Sequence, residues 1–143
     1  MSNTMKSKVC IMAAGLIRQG LSRRAAMLRA WLTVKLHRIE TRTAGVTHER
    51  RQQLLARLSR YDNEDITIAL EREASNPYDS NAIKVIAAVK GKGAAVMGYV
   101  NRTLAEALAP LLDKGKEVKA AIMGVTGGTE YRKTYGLSIA ISL

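Results

Sequence analysis

The chain has 143 residues, 47% of them hydrophobic, with one Trp, five Tyr, no Phe and a net charge of +11. That length suits one domain with an aliphatic core, and no apolar run approaches the roughly 20 residues of a membrane span. One cysteine, Cys10, excludes an internal disulfide or a cysteine-built zinc site and fits a reducing cytoplasm.

The charge is confined to the first 60 residues. They carry 13 Lys and Arg against Glu40 and Glu49, whereas the remainder holds ten basic and ten acidic side chains. Ten of the 13 are arginines, whose forked guanidinium binds phosphate bidentately and stacks on bases, so nucleic acid is the favoured partner class. A solvated basic face or an acidic protein partner are the alternatives.

Lys8 to Gln19 reads as a helix with Val9, Met12 and Leu16 along one stripe, stopped at Gly20. It lacks the long apolar centre of a signal peptide. Ser22 caps a second helix, Arg23 to Leu32, with Ala25, Leu28 and Leu32 inward and Arg23, Arg24 and Arg29 outward. Residues 1–33 thus form a basic helical hairpin extension that covers one end of a sheet, with Trp31 as a packing anchor. The glycine turn also fits a helix-turn-helix, a motif that usually needs a third supporting helix and has a weak signal here. Residues 34–143 make the main domain.

Thr33 to Thr43 reads as extended, broken at Gly45-Val46-Thr47. Thr47 caps a helix through Ser59 with Leu54, Leu55 and Leu58 inward. Arg50 and Arg57, seven residues apart, share a flank and with Arg60 make a phosphate-tracking edge. His37 and His48, without cysteine partners, make no metal site.

Ile66 to Leu70 and Ala82 to Val89 read as strands. Between them Ala74 to Asn81 (ASNPYDSN) is a polar loop. Pro77 presets its own φ and holds Asn76 extended, while Asn76, Asp79, Ser80 and Asn81 bond local backbone. The loop is equally a well-capped strand connection and a fixed display of an amide, a phenol and a carboxylate. Lys90-Gly91-Lys92-Gly93 reads as a hairpin turn or a small anion nest before the strand Ala94 to Val100, where Gly98 permits a close backbone approach, to the polar loop. Thr103 caps a helix, Leu104 to Asp113, that Pro110 ends or kinks and Gly115 stops. Val118 to Val125 and Tyr135 to Leu143 complete about six strands. The expected fold class is α+β, mostly β: a small antiparallel barrel with the hairpin and two packed helices.

Three segments carry a resemblance. Leu70 to Val85 (LEREASNPYDSNAIKV), Met97-Gly98-Tyr99-Val100-Asn101-Arg102 and Leu104 to Asp113 (LAEALAPLLD) together resemble the HIRAN domain, over about Lys35 to Leu143. The glycine-valine turn followed by Arg51-Gln52 resembles stand-alone members of that family. The resemblance implies an OB-like barrel and a DNA-binding role, with the N-P-Y-D residues in a pocket for the free 3′ end of a single strand. Asn76 and Tyr78 would then hold the terminal base, Asp79 the 3′ hydroxyl and Arg102 a phosphate, with Tyr99 lining the pocket. Family members that bind strand ends carry aromatics in the first strand and turn, where this chain has Thr41-Arg42-Thr43; Arg42 would substitute by stacking its guanidinium. Members are often fused to DNA-translocating ATPases, and this sequence carries no such engine.

The residue inventory points away from an enzyme, with no Cys–His pair, nucleophile elbow or Walker loop. No cofactor is expected. Binding chemistry is better supplied. Tyr78 and Tyr99 offer flat faces for bases, Lys84 and Arg102 offer charge for phosphate, and Asn81 adds an amide. Asp79 repels phosphate but accepts a hydrogen bond from a hydroxyl, which would select a strand terminus over a continuous strand. The expectation is a cytoplasmic DNA-binding module for single strands or 3′ ends, in repair, replication or a mobile element. The alternative is a module that docks on an acidic protein or a nucleic-acid enzyme. No membrane partner is expected.

Overall fold

A computed structural model describes residues 3–143. In chain order it contains α1 (Asn3–Arg18), α2 (Arg23–Trp31), a π-helical turn (Leu32–Leu36), β1 (Arg38–Arg42), α3 (Glu49–Leu58), a short 3-10 turn (Asn63–Asp65), β2 (Ile66–Arg72), β3 (Ile83–Val89), β4 (Gly93–Tyr99), α4 (Arg102–Asp113), β5 (Lys119–Thr126) and β6 (Gly136–Ser142). The class is α+β. No helix among the described residues is long and apolar enough to cross a membrane.

The six strands form one antiparallel sheet in the order β1-β6-β5-β2-β3-β4. Met97 on β4 and Met123 on β5 fall at register shifts, each an extra residue against its partner strand. Such bulges bend a sheet and increase its twist. The bending brings the two sheet edges together just beyond β1, where Ala44 and Tyr99 exchange both backbone hydrogen bonds, at 2.7 and 2.9 Å. The barrel expected from the sequence is therefore drawn shut at one point. The β2–β5 seam is also thin, with Ile68 opposite Ala120 as its one register pair.

One apolar core fills the sheet's concave side. Ile83, Val85, Leu137, Ile139 and Ile141 point inward from the strands by period-2 alternation, and Leu55, Leu104 and Leu108 meet them from α3 and α4. α4 sends six buried side chains inward, and Pro110 sits inside the helix without ending it. A second, smaller cluster of Val9, Ala13, Leu16, Ala26 and Ala30 joins α1 to α2. The small residues let the two helices approach closely. Glu106 of α4 accepts a 2.6 Å hydrogen bond from the Ser22 backbone N–H, which ties the hairpin to the barrel.

Four local expectations need correcting. Thr33 to Leu36 is not extended: the chain stays helical to Leu36 and turns at His37, whose φ is +56° and whose N–H bonds Leu32 O at 2.7 Å. The fully buried Leu32 and the Thr33 hydroxyl, which donates to Arg29 O at 2.9 Å, hold this helical continuation against β-branched propensity. Residue 34 thus lies within that continuation. Arg29 does not face outward but is 7% exposed, because it falls on the face of α2 that carries Ala25, Ala26 and Ala30. The N-cap position of α3 is His48, one residue after the expected Thr47, and it makes no side-chain cap bond. Asn101, not Thr103, caps α4, accepting the Leu104 N–H at 3.0 Å.

Candidate nucleic-acid interface

The loop between β2 and β3 is built by its own side chains. Asn76 Oδ1 accepts the backbone N–H groups of Tyr78 at 2.8 Å and Asp79 at 3.0 Å. Asp79 Oδ1 accepts the Asn81 N–H at 2.9 Å. The Asp79 carbonyl takes the Ala82 N–H, and the Glu73 N–H bonds the Ala82 carbonyl, closing the base of the loop. The turn-forming role of these residues is therefore real, and it uses the Asn76 carbonyl fully. What the loop leaves over is Tyr78, 88% exposed, and the second oxygen of Asp79.

Behind the loop stands Tyr99. Its hydroxyl donates to Glu73 Oε2 at 2.7 Å, and the Arg51 guanidinium lies 5.4 Å from its ring centroid. Arg51 is oriented by a 2.6 Å bond to Gly45 O in the turn before α3. The carboxylate hydrogen bond, with burial and the negative charge of Glu73 adding to it, raises the Tyr99 pKa above its ordinary value, and Arg51 opposes the shift. Next to Arg51, Gln52 clamps the β6 approach: its side chain donates to Val46 O and Tyr135 O and accepts the Tyr135 N–H. Three segments distant in sequence, the α3 turn, the β4 end and the β2 end, thus converge on one phenol.

Gly98 has a different neighbour from the one expected. A Cβ there would overlap the Ala44 carbonyl and press on Thr43, so the close approach is to the end of β1 rather than to the polar loop. Lys84 sits opposite Tyr99 in the β3–β4 register and lies 3.9 Å from Glu71, a partly solvated pair. Arg102 is exposed at the first turn of α4, and Asn101 links that turn to β1 by a 3.0 Å bond to the Thr41 hydroxyl. Asn76, Tyr78, Asp79 and Asn81 are brought together by the loop, and Lys84 and Tyr99 by the adjoining strands. Arg42 is not part of this set. It lines a separate cavity of about 200 Å³ with Thr43, Thr47, Arg132 and Tyr135.

The basic residues divide into two places. Arg50 and Arg57 lie along the groove between α3 and β4. Arg50 lines a cavity of about 500 Å³ with His48, Arg51 and Ala94–Val96, and Arg57 lines one of about 270 Å³ with Tyr61, Lys92 and Met97. Arg60 is exposed beyond the helix end. Arg23 and Arg24 are exposed on α2, which packs against α4. The roles of Glu73 and Arg51 are not apparent from the sequence. The signal for Arg51 was its place after the glycine-valine turn; nothing local marks Glu73 as the partner of a phenol 26 residues away. Among the described residues no cluster of His, Cys, Asp and Glu is arranged to hold a metal ion.

A family model described as the HIRAN domain matches residues 40–143. The chain is similar to the crystal structure of the HIRAN domain of human HLTF, at 21% identity over 73% of this chain and 73% of that one, with a TM-score of 0.47. It is also similar to the crystal structure of a protein from Lactobacillus plantarum, at 22% identity over 74% of this chain and 97% of that one, with a TM-score of 0.44. No curated protein matches the chain.

Proposed function

The chain belongs to the HIRAN domain family, and from that premise we propose that it is a nucleic-acid-binding module that receives single-stranded DNA, or a free 3′ end, at the rim formed by the 76–81 loop and Tyr99. The observation that carries this reading is the solvent-facing Tyr78 ring on a loop already folded by Asn76 and Asp79. An ordered, exposed aromatic stacks a base with little further loss of loop entropy. The free oxygen of Asp79 is the acceptor for a terminal hydroxyl. Because Asn76 spends its carbonyl on the loop, its contact with a base would come from its amide N–H groups. Lys84 and Arg102 supply charge to the terminal phosphates, and Arg50, Arg57 and Arg60 hold the adjoining backbone. Arg23 and Arg24, on the hairpin of residues 1–33, would hold a more distant segment.

The test is fluorescence anisotropy with matched short strands ending in a 3′ hydroxyl or a 3′ phosphate. Tighter binding of the hydroxyl end, lost in Asp79→Ala, supports end recognition. Equal, salt-sensitive binding of both leaves a general nucleic-acid surface.

A second reading, docking on a protein partner, is favoured by Ile11 on α1, which is 73% exposed in the basic hairpin. Co-purification of one protein after nuclease treatment supports it.

A further inference from the structure

Arg29 is the one buried charged side chain among those the structure describes. It is 7% exposed, its Nε is buried with no acceptor, and no ion pair among the described residues includes it. Every other ionisable side chain whose burial the structure describes is exposed or half-buried. A guanidinium stays charged in proteins, so burial without a partner is unfavourable in a way that loss of a proton does not relieve. The burial does lower its pKa, by desolvation.

Arg29 lines a cavity of about 190 Å³ between the helical hairpin and the start of β5. Its wall is apolar, from Met12, Leu111, Val118 and Leu143, and Lys116 and Glu117 flank it. Thr33 also lines it, but its hydroxyl is committed to the Arg29 carbonyl. The volume equals roughly six waters' share of the liquid, room for a compact group of a few heavy atoms. Two cations, one carboxylate and a mostly apolar wall match a single negative charge on a short aliphatic body better than a phosphate dianion, which Glu117 would repel and the wall would strip of water.

We propose that this cavity is an anion-binding site, distinct from the nucleic-acid rim, that takes a carboxylate carried on a short apolar body, with the Arg29 guanidinium as the acceptor's partner. The ligand is either a small aliphatic acid or the C-terminal carboxylate of a peptide ending in an apolar residue. Both present the same chemistry to the site.

The experiment follows the Arg29 Nε–H resonance of the full chain by ¹H–¹⁵N NMR at fixed ionic strength. The probes are 4-methylpentanoate, acetyl-Gly-Leu with a free carboxylate, its C-terminal amide, and inorganic phosphate. The expected result is a saturable shift with the two carboxylates, none with the amide, and loss of the response in Arg29→Met. A dipeptide at least tenfold tighter than the free acid identifies a chain terminus as the ligand, and the reverse order identifies a small acid. Equal, non-saturating shifts with phosphate and carboxylates would mean general ionic effects and overturn the proposal. Thermal melts give an independent arm. Arg29→Met should melt no lower than the parent, since it removes an uncompensated charge at similar volume. A drop of several degrees, or a Glu117→Gln change that itself moves the Arg29 resonance as far as saturating ligand does, would show that the chain already supplies the counter-ion and would equally overturn it.

Discussion

The hydroxyl of Tyr99 donates a 2.7 Å hydrogen bond to the carboxylate of Glu73, joining the end of β4 to the root of the polar loop. The same residue closes the barrel through its backbone pair with Ala44. Tyr99→Phe keeps the ring under Arg51 and the strand pair but frees Glu73. We expect a loss of about 1 kcal/mol, at the low end for a bond to a charged group because water reaches Glu73, together with weaker end-specific binding. Chemical denaturation and anisotropy on the same variant read the two effects.

That bond also sets a pH dependence. The Tyr99 pKa is raised in the folded chain by its bond to Glu73, so the protonated phenol is favoured by folding. The resulting stability is fully present below the ordinary tyrosine value near 10 and is lost as pH rises through the higher folded value. Melting temperature against pH should fall less steeply above pH 10 in Tyr99→Phe than in the parent. An unchanged slope would remove Tyr99 as its source.

Tyr78 allows a cleaner separation of binding from folding. With its ring in solvent, Tyr78→Ala should leave the melting temperature within about a degree, since exposed substitutions are usually near neutral. Loss of one stacked base should weaken single-strand binding by about 1–3 kcal/mol. Undiminished binding would move the base contact elsewhere.

Two glycines should respond oppositely to alanine. At Gly98 a Cβ overlaps the Ala44 carbonyl, and the strands must part where the barrel closes. Gly98→Ala should destabilise by about 1–3 kcal/mol, the range for overpacking. Gly15 lies within α1 with nothing within 4 Å of its Cβ position, so Gly15→Ala should stabilise by roughly 0.5–1 kcal/mol. Urea midpoints of both variants decide the matter.

The groove arginines should act through charge. Arg50→Ala with Arg57→Ala should weaken binding to all sequences alike and reduce the slope of log affinity against log salt by about 0.7 per lost single-strand phosphate contact. An unchanged slope would exclude the α3–β4 groove as the backbone path.

How much of this was legible in the sequence follows from the range of each interaction. Period-2 alternation in Leu137–Leu143 and the polar, proline-fixed loop at 74–81 are local, and both were readable. The cap of α4 lies two residues before the Thr103 that the sequence suggests, because Asn101 and Thr103 are both good caps and only the geometry of the first turn separates them. Thr33 and Val34 have strand propensity, but the buried Leu32 and the Thr33 back-bond hold them helical. A guanidinium rarely goes inside, so the sequence suggests a solvent-facing Arg29, whereas its place on the alanine face of α2 buries it. The Glu73–Tyr99–Arg51 cluster depends on three chain crossings, which no local pattern encodes.

The lone indole of the chain belongs to the hairpin. Trp31 packs beside the α1–α2 cluster with the Lys35 ammonium 6.0 Å from its ring, while all five tyrosines lie from residue 61 onward. Excitation at 295 nm therefore reports whether the helical extension is docked, and excitation of the phenols adds the barrel. If the extension can detach while the barrel stays folded, the two emissions separate along a single denaturation curve. The chain thus carries two built-in fluorophores for its two hydrophobic clusters, with no label added.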